Sequence, residues 1–131
     1  MSSRSLYLPD LMREGIQHTT AIKYDLTDGD GGASTVGAAH VAAGHDEAIE
    51  AIQKHLVITE IMGTRVPNTW IETSEEPLHL MRELGQQRSL LYVISALNDY
   101  TDISREAIVA WLEDELDTSM LTVEVSTPVA T

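Results

Sequence analysis

A chain of 131 residues has the size of one ordinary domain and can close a core without disulfides or a structural metal. Its apolar share of 43% and charged share of 22% are those of a globular protein, so the sequence predicts folding rather than disorder. With 21 acidic against 8 basic residues the formal charge is −13, which disfavours nucleic-acid phosphates and anionic lipid as direct partners. A basic protein surface or a cation is the natural complement.

The apolar residues are mainly Leu, Ile, Val, Ala and Met; there is no Phe and there are only 2 Trp, so aliphatic packing must carry the core. Without cysteine the chain has no disulfide, thiolate nucleophile or Cys-ligated zinc, as in proteins of reducing compartments. Lys occurs only at Lys23 and Lys54, which together with the many acids fits a high-GC or salt-adapted source. The longest mostly apolar stretch, residues 90–97, is too short to span a bilayer, and the N-terminus lacks a signal peptide's apolar stretch. The expected location is the cytoplasm, of a cell or of an infected one.

Residues 6–15 read as a short helix entered near Pro9 and stopped by Gly15. From 19 to 26 the pattern alternates, with Ile22, Tyr24 and Leu26 on one face, which predicts a strand. The run Asp28-Gly29-Asp30-Gly31-Gly32 closes it in a turn. Ser34 or Thr35 can cap a small-residue helix over 36–43, broken by Gly44. A second helix begins near Asp46 and is expected to run to Gly63, with Ala48, Ile52, His55 and Thr59 in a stripe flanked by Ile49 and Leu56.

Residues 64–73 look like a loop anchored by Trp70. Thr73 and Glu76 have capping-box spacing, and Pro77 suits a first helical turn, which places a helix through Leu78, Met81 and Leu84 to Gly85. Residues 88–98 are apolar on more than one side and make the candidate central helix. Ser104 is placed to cap the last helix, whose inner stripe is Ile108, Trp111, Leu112 and Leu116, with Glu106, Glu113 and Asp114 toward solvent. The tail alternates again, with Leu121, Val123 and Val125 on one face. The expected fold is therefore mainly α (α+β): about five or six helices around an aliphatic core with a minor two-stranded β element at residues 19–26 and 120–126. Residues 1–117 would form a single helical domain and 118–131 a C-terminal strand or tail, which pairs within the chain or adds to a neighbouring subunit's sheet.

Gly15-Ile16-Gln17, Asp28-Gly29-Asp30-Gly31, Gly37-Ala38-Ala39 and Leu97-Asn98-Asp99 leading to a capped helix over 104–116 form an ordered set of motifs across residues 8–116. In this the chain resembles a family of small uncharacterised actinobacterial and actinophage proteins, with Leu97 where that family usually has an aromatic residue and no cysteine in the Gly-Ala helix. The resemblance implies a phage or actinobacterial setting and brings no activity with it.

Among polar groups, Asn98 and Asp99 end a buried helix and need partners. They can act as punctuation, Asn98 closing the helix in a left-handed conformation and Asp99 accepting backbone donors in the turn to Ser104, or as a ligand-reading pair. Glu76-Pro77-Leu78-His79 has the Glu-x-x-His spacing of carboxylate di-metal bundles, and Glu75, His79 and Glu83 fall at successive four-residue steps. A single copy makes no site, so no metal is expected; Glu76, His79 and Glu83 are the residues that would hold one. Asp25, Asp28 and Asp30 lack a calcium loop's spacing, and His40, His45, Asp46 and His55 fit no ligand set better than ordinary helix positions.

There is no Gly-x-Ser-x-Gly, no convincing Ser, His, Asp grouping and no phosphate-cradling glycine loop, so the sequence supports neither catalysis nor a cofactor. The expectation is a non-enzymatic protein-binding or assembly component acting through an acidic surface and the C-terminal strand. Its partner would be a protein with a basic surface or further copies of itself, with no direct nucleic acid and no membrane. Trp70, Asn98, Asp99, Leu121, Val123 and Val125 are its candidate interaction or structural residues. The alternatives are a DNA-mimic inhibitor of a host nuclease or regulator, and a metal-dependent enzyme.

Overall fold

The computed structural model describes residues 2–62 and 65–127. The fold is mainly helical, α+β, as the sequence predicts, with six helices of eight residues or more, two shorter ones and a few short strands among the described residues. In chain order these are β1 (Ser2–Tyr7), α1 (Leu8–Gln17), β2 (Thr20–Ala21), β3 (Gly32–Ala33), α2 (Thr35–Ala43), α3 (Asp46–Ile58), β4 (Glu60–Met62), α4 (Asn68–Glu72), α5 (Pro77–Leu84), β5 (Gln87–Ser89), α6 (Leu90–Tyr100), α7 (Arg105–Glu115), α8 (Thr118–Leu121) and β6 (Thr122–Thr127). No helix among the described residues is long and apolar enough to cross a membrane.

Helix α6 lies at the centre because it is apolar around most of its circumference: Leu90, Val93, Ile94, Ala96 and Leu97 are all buried. Ile52 and Leu56 of α3 and Ile108 and Leu112 of α7 pack around it, while Leu8 and Met12 of α1 join the same core against α2 and α7, each fully removed from solvent. A buried Leu or Ile contributes about 1.5–3 kcal/mol. The described ion pairs, Arg13 with Asp10 and Glu113, Lys23 with Asp102, and Arg88 with Glu83, are at least partly exposed and contribute about 0–1 kcal/mol each. Aliphatic burial therefore dominates the stability.

Serines close the helix ends where the sequence places them. Ser34 accepts from Gly37 N at 3.0 Å and Ser104 from Ala107 N at 3.1 Å; Ser89 does the same for α6, from Tyr92 N at 3.1 Å. Gly44 (φ 77°) ends α2 in the left-handed region, and Gly29 and Gly31 (φ 79° and 89°) make the expected turn. Asp28 locks that turn by accepting from Asp30 N and Gly32 N, each at 2.8 Å.

Several boundaries differ from the expectation. Leu6 and Tyr7 belong to β1, and α1 runs through Gly15 to Gln17. Gly15 is buried where α1 crosses α2, and a Cβ there would meet Ala38 O at 1.8 Å, so this glycine marks a close approach of two backbones and not a helix stop. Residues 19–26 hold only a two-residue strand, β2, paired in parallel with β3. Tyr24 at φ 71° breaks the extended run, and Tyr24 and Leu26 are exposed.

Helix α3 ends at Ile58 instead of Gly63. Glu60, Ile61 and Met62 instead form β4, antiparallel to β5, and only Ile61 of the three is buried. That pairing joins residues far apart in sequence, whereas their apolar spacing also suits a helix, so local pattern alone selects the wrong state. The segment after position 64 contains α4, and Thr73 closes α4 by donating to Thr69 O at 2.8 Å. The capping box is absent: Glu76 precedes α5 without a side-chain cap bond. Helix α5 turns Leu80 and Leu84 inward, leaving Leu78 and Met81 exposed.

The C-terminal strand pairs with β1 and not with residues 19–26. The sheet is antiparallel, with Leu6 opposite Val123 and Ser5 opposite Glu124. Strand β1 is missed because its residues are mostly Ser and Arg, with too few apolar side chains to show alternation. Leu121, Val123 and Val125 are buried in the common core, so β6 packs onto the helices within its own chain.

Candidate functional site

Asn98 and Asp99 sit in the last turn of α6, and both are engaged inside the molecule. Asn98 Oδ1 accepts from Thr35 N and Thr35 Oγ1, each at 3.0 Å, while its Nδ2 donates to Ile22 O at 2.9 Å and Asp99 Oδ1 at 3.0 Å. Asp99 Oδ1 also accepts from Tyr24 N at 2.8 Å. Asn98 is therefore helical, and the left-handed residue is Tyr24 across from it. Asp99 likewise serves the 19–34 segment and not the turn to Ser104.

Arg105, at the start of α7, completes this clamp. Its guanidinium is buried and donates to Thr19 Oγ1 at 2.7 Å, Thr19 O at 2.9 Å and Ala33 O at 3.1 Å. Burial pushes its pKa down from the ordinary arginine value, opposed by Glu106, and carbonyl oxygens surround the charge. Cavities of about 130 and 220 Å³ flank Asn98. The hydrogen bonds of Asn98, Asp99 and Arg105 hold the segment to the helices, and no buried side-chain nitrogen or oxygen among the described residues lacks a partner. A sequence reader meets Arg105 as an ordinary first-turn residue; its only signal is a cation at the N-terminal end of a helix, where it is disfavoured.

Glu76, His79 and Glu83 do not converge. Glu76 and His79 are exposed, and Glu83 accepts from Arg88 Nη2 at 2.8 Å and Tyr92 Oη at 2.9 Å. Among the described residues no three His, Asp or Glu side chains are grouped to hold a metal ion. Trp70 packs against Trp111 with ring centroids 6.4 Å apart, which pins α4 on α7 as an anchoring role requires.

His40 is buried between α2 and α3, and its Nε2 lies 2.9 Å from Gln53 Nε2, so the amide donates to an unprotonated ring. Burial lowers the His40 pKa from the ordinary 6.5. The unfolded chain then takes up this proton at a higher pH than the folded one, and stability falls as pH drops below 6.5. Urea unfolding at pH 7.5 and 5.5 should show the wild type losing more stability than His40→Asn across that interval; parallel losses would contradict it.

The acidic side chains lie outside. Eighteen of the 21 are exposed, and Glu83, Asp99 and Glu113 are half-buried. Glu113 accepts from Arg13 and from Tyr7 Oη at 3.1 Å, and the Arg13 bond holds its carboxyl below the ordinary glutamate range. An open depression of about 630 Å³ lies between α3 and β6. Glu47, Glu50, Lys54 and Ile58 line its helical wall, and Thr122 to Val125 line the other. Sequence reading passes over this α3 flank because it is the polar side of an amphipathic helix. The spacing 47, 50, 51, 54, 55, 58 would have shown a second continuous face. No family model, curated protein or solved structure matches the chain.

Proposed function

We propose that this protein is a non-enzymatic binding component that recognises a protein with a basic surface. The observation that carries the reading is the distribution of charge: among the described residues no carboxylate is buried, while the one buried guanidinium, that of Arg105, is consumed by backbone carbonyls and the Thr19 hydroxyl. The polar interior is thus scaffold, and most of the charge faces solvent without a nearby cation. Such a surface raises the encounter rate with a basic partner and makes binding sensitive to salt. The motif likeness to actinobacterial and actinophage proteins supports seeking that partner in an actinobacterial host.

Affinity capture from such a lysate, eluted with rising salt, tests the reading. The expected result is a basic protein retained at low salt, released by about 0.5 M salt, and absent from a column of an unrelated protein of equal charge. A chain that retains only what the charge-matched column retains would refute it.

A further inference from the structure

We infer that β6 accepts a short, extended, basic segment of a partner polypeptide as a third strand, laid in the groove between β6 and α3. This rests on the protein-binding reading and specifies where and how the partner is held.

The wall of the groove formed by β6 is four consecutive residues, Thr122, Val123, Glu124 and Val125. Successive side chains of a strand point to opposite faces, and Val123 and Val125 face the core at 2% and 3% exposure, so Thr122 and Glu124 form the open part of this wall. The strand also has an unpaired edge: β6 is hydrogen-bonded to β1 in a two-stranded sheet, and among the described residues no other strand pairs with it. An unpaired edge of this kind is a ready template for strand addition, in which backbone bonds give affinity and the flanking walls choose side chains.

The opposite wall is one flank of α3. His55 Nε2 lies 2.6 Å from Met120 O and ties the helix to the start of β6, setting the width of the groove at that end. Ile58 is 66% exposed there and offers an apolar seat. Around it the charges are Glu47, Glu50 and Glu124 against Lys54 alone. A second copy of this chain would bring its own Glu124 against those acids, whereas a basic segment is attracted. The four β6 residues span about 13 Å, so the occupant is four or five residues long. The volume lies within the range of about 300–1,000 Å³ common to ligand sites.

The test titrates the full chain with the peptide Lys-Val-Lys-Val-Lys-Val, blocked at both ends, and follows backbone amides by NMR. Shifts confined to residues 122–125 and the α3 flank are expected. Binding should weaken at least tenfold for the same peptide N-methylated at alternate residues, and likewise for a chain carrying Glu47→Lys and Glu50→Lys, whose exposed positions leave the fold intact. No shifts with the parent peptide, or equal binding by the N-methylated one, would overturn the proposal, the latter because charge alone would explain it. Self-association through β6, seen as a dimer in light scattering without peptide, would also overturn it. If lysate capture succeeds while the peptide leaves β6 unmoved, the protein-binding reading stands and only the strand-addition mode fails.

Discussion

Gly15→Ala is expected to lower the melting temperature by roughly 10 °C, although helix propensity alone predicts a gain of about 1 kcal/mol for this change. The position is helical, so the gain is real in an isolated helix. The added Cβ, however, would stand 1.8 Å from Ala38 O and 2.4 Å from Ala38 C, against backbone that has no rotamer to change. Helices α1 and α2 must separate, and that uncovers Leu8, Met12 and Val36 together. Overpacking costs about 1–3 kcal/mol when side chains can give way and more when they cannot. The collision therefore outweighs the propensity term. Gly85→Ala is the internal control, since its Cβ would approach Met81 O no closer than 3.1 Å. Thermal unfolding of the two variants side by side checks the argument, and an unchanged or raised melting temperature for Gly15→Ala would contradict the close crossing.

Asn98→Ala is expected to cost about 3 kcal/mol and to loosen residues 19–35 before the rest of the molecule. The variant leaves Thr35 N, Thr35 Oγ1 and Ile22 O without their partner, and an unsatisfied buried group costs about 1–3 kcal/mol. Water reaching the two flanking cavities recovers part of this, which sets the figure below the sum. Urea unfolding measures the loss, and hydrogen exchange at Tyr24 and Thr35 locates it. The near-isosteric Asn98→Asp separates bonding from packing. It loses the bond to Ile22 and places a second carboxylate where Nδ2 now lies 3.0 Å from Asp99 Oδ1. Like charges so close raise the pKa of the pair in the folded state, so relative to the wild type this variant is least destabilised in acid and loses further stability as pH rises above about 4. Equal stability of wild type and Asn98→Ala would remove the clamp from the account.

What was legible in the sequence follows the range of the interactions. Helices α2, α6 and α7 were readable because their signals are local: Ser34 and Ser104 cap, Gly44 stops, and the mostly apolar stretch over 90–97 buries Leu90, Val93, Ile94, Ala96 and Leu97. The strands were not, because β1 is mostly polar, β4 and β5 are three residues each, and all exist only through partners distant in the chain. Gly15 was misread because a glycine that ends a helix and one that admits a neighbour look identical in one dimension. For the site, Asn98 and Asp99 were visible as polar residues in an apolar context, but their partners in the 19–34 segment were not. Nor was Arg105, whose role depends on carbonyls that only the fold assembles.

The central claim is that polar groups inside this protein are scaffold and those on its acidic surface are recognition. Hydrogen exchange of the full chain, alone and with the basic protein recovered by capture, tests it most directly. The account predicts added protection along α3 and residues 122–125, with the amides of Tyr24, Thr35 and their neighbours in the clamp unchanged. Protection centred on residues 19–35 and 98–105, with the α3 flank untouched, would contradict it.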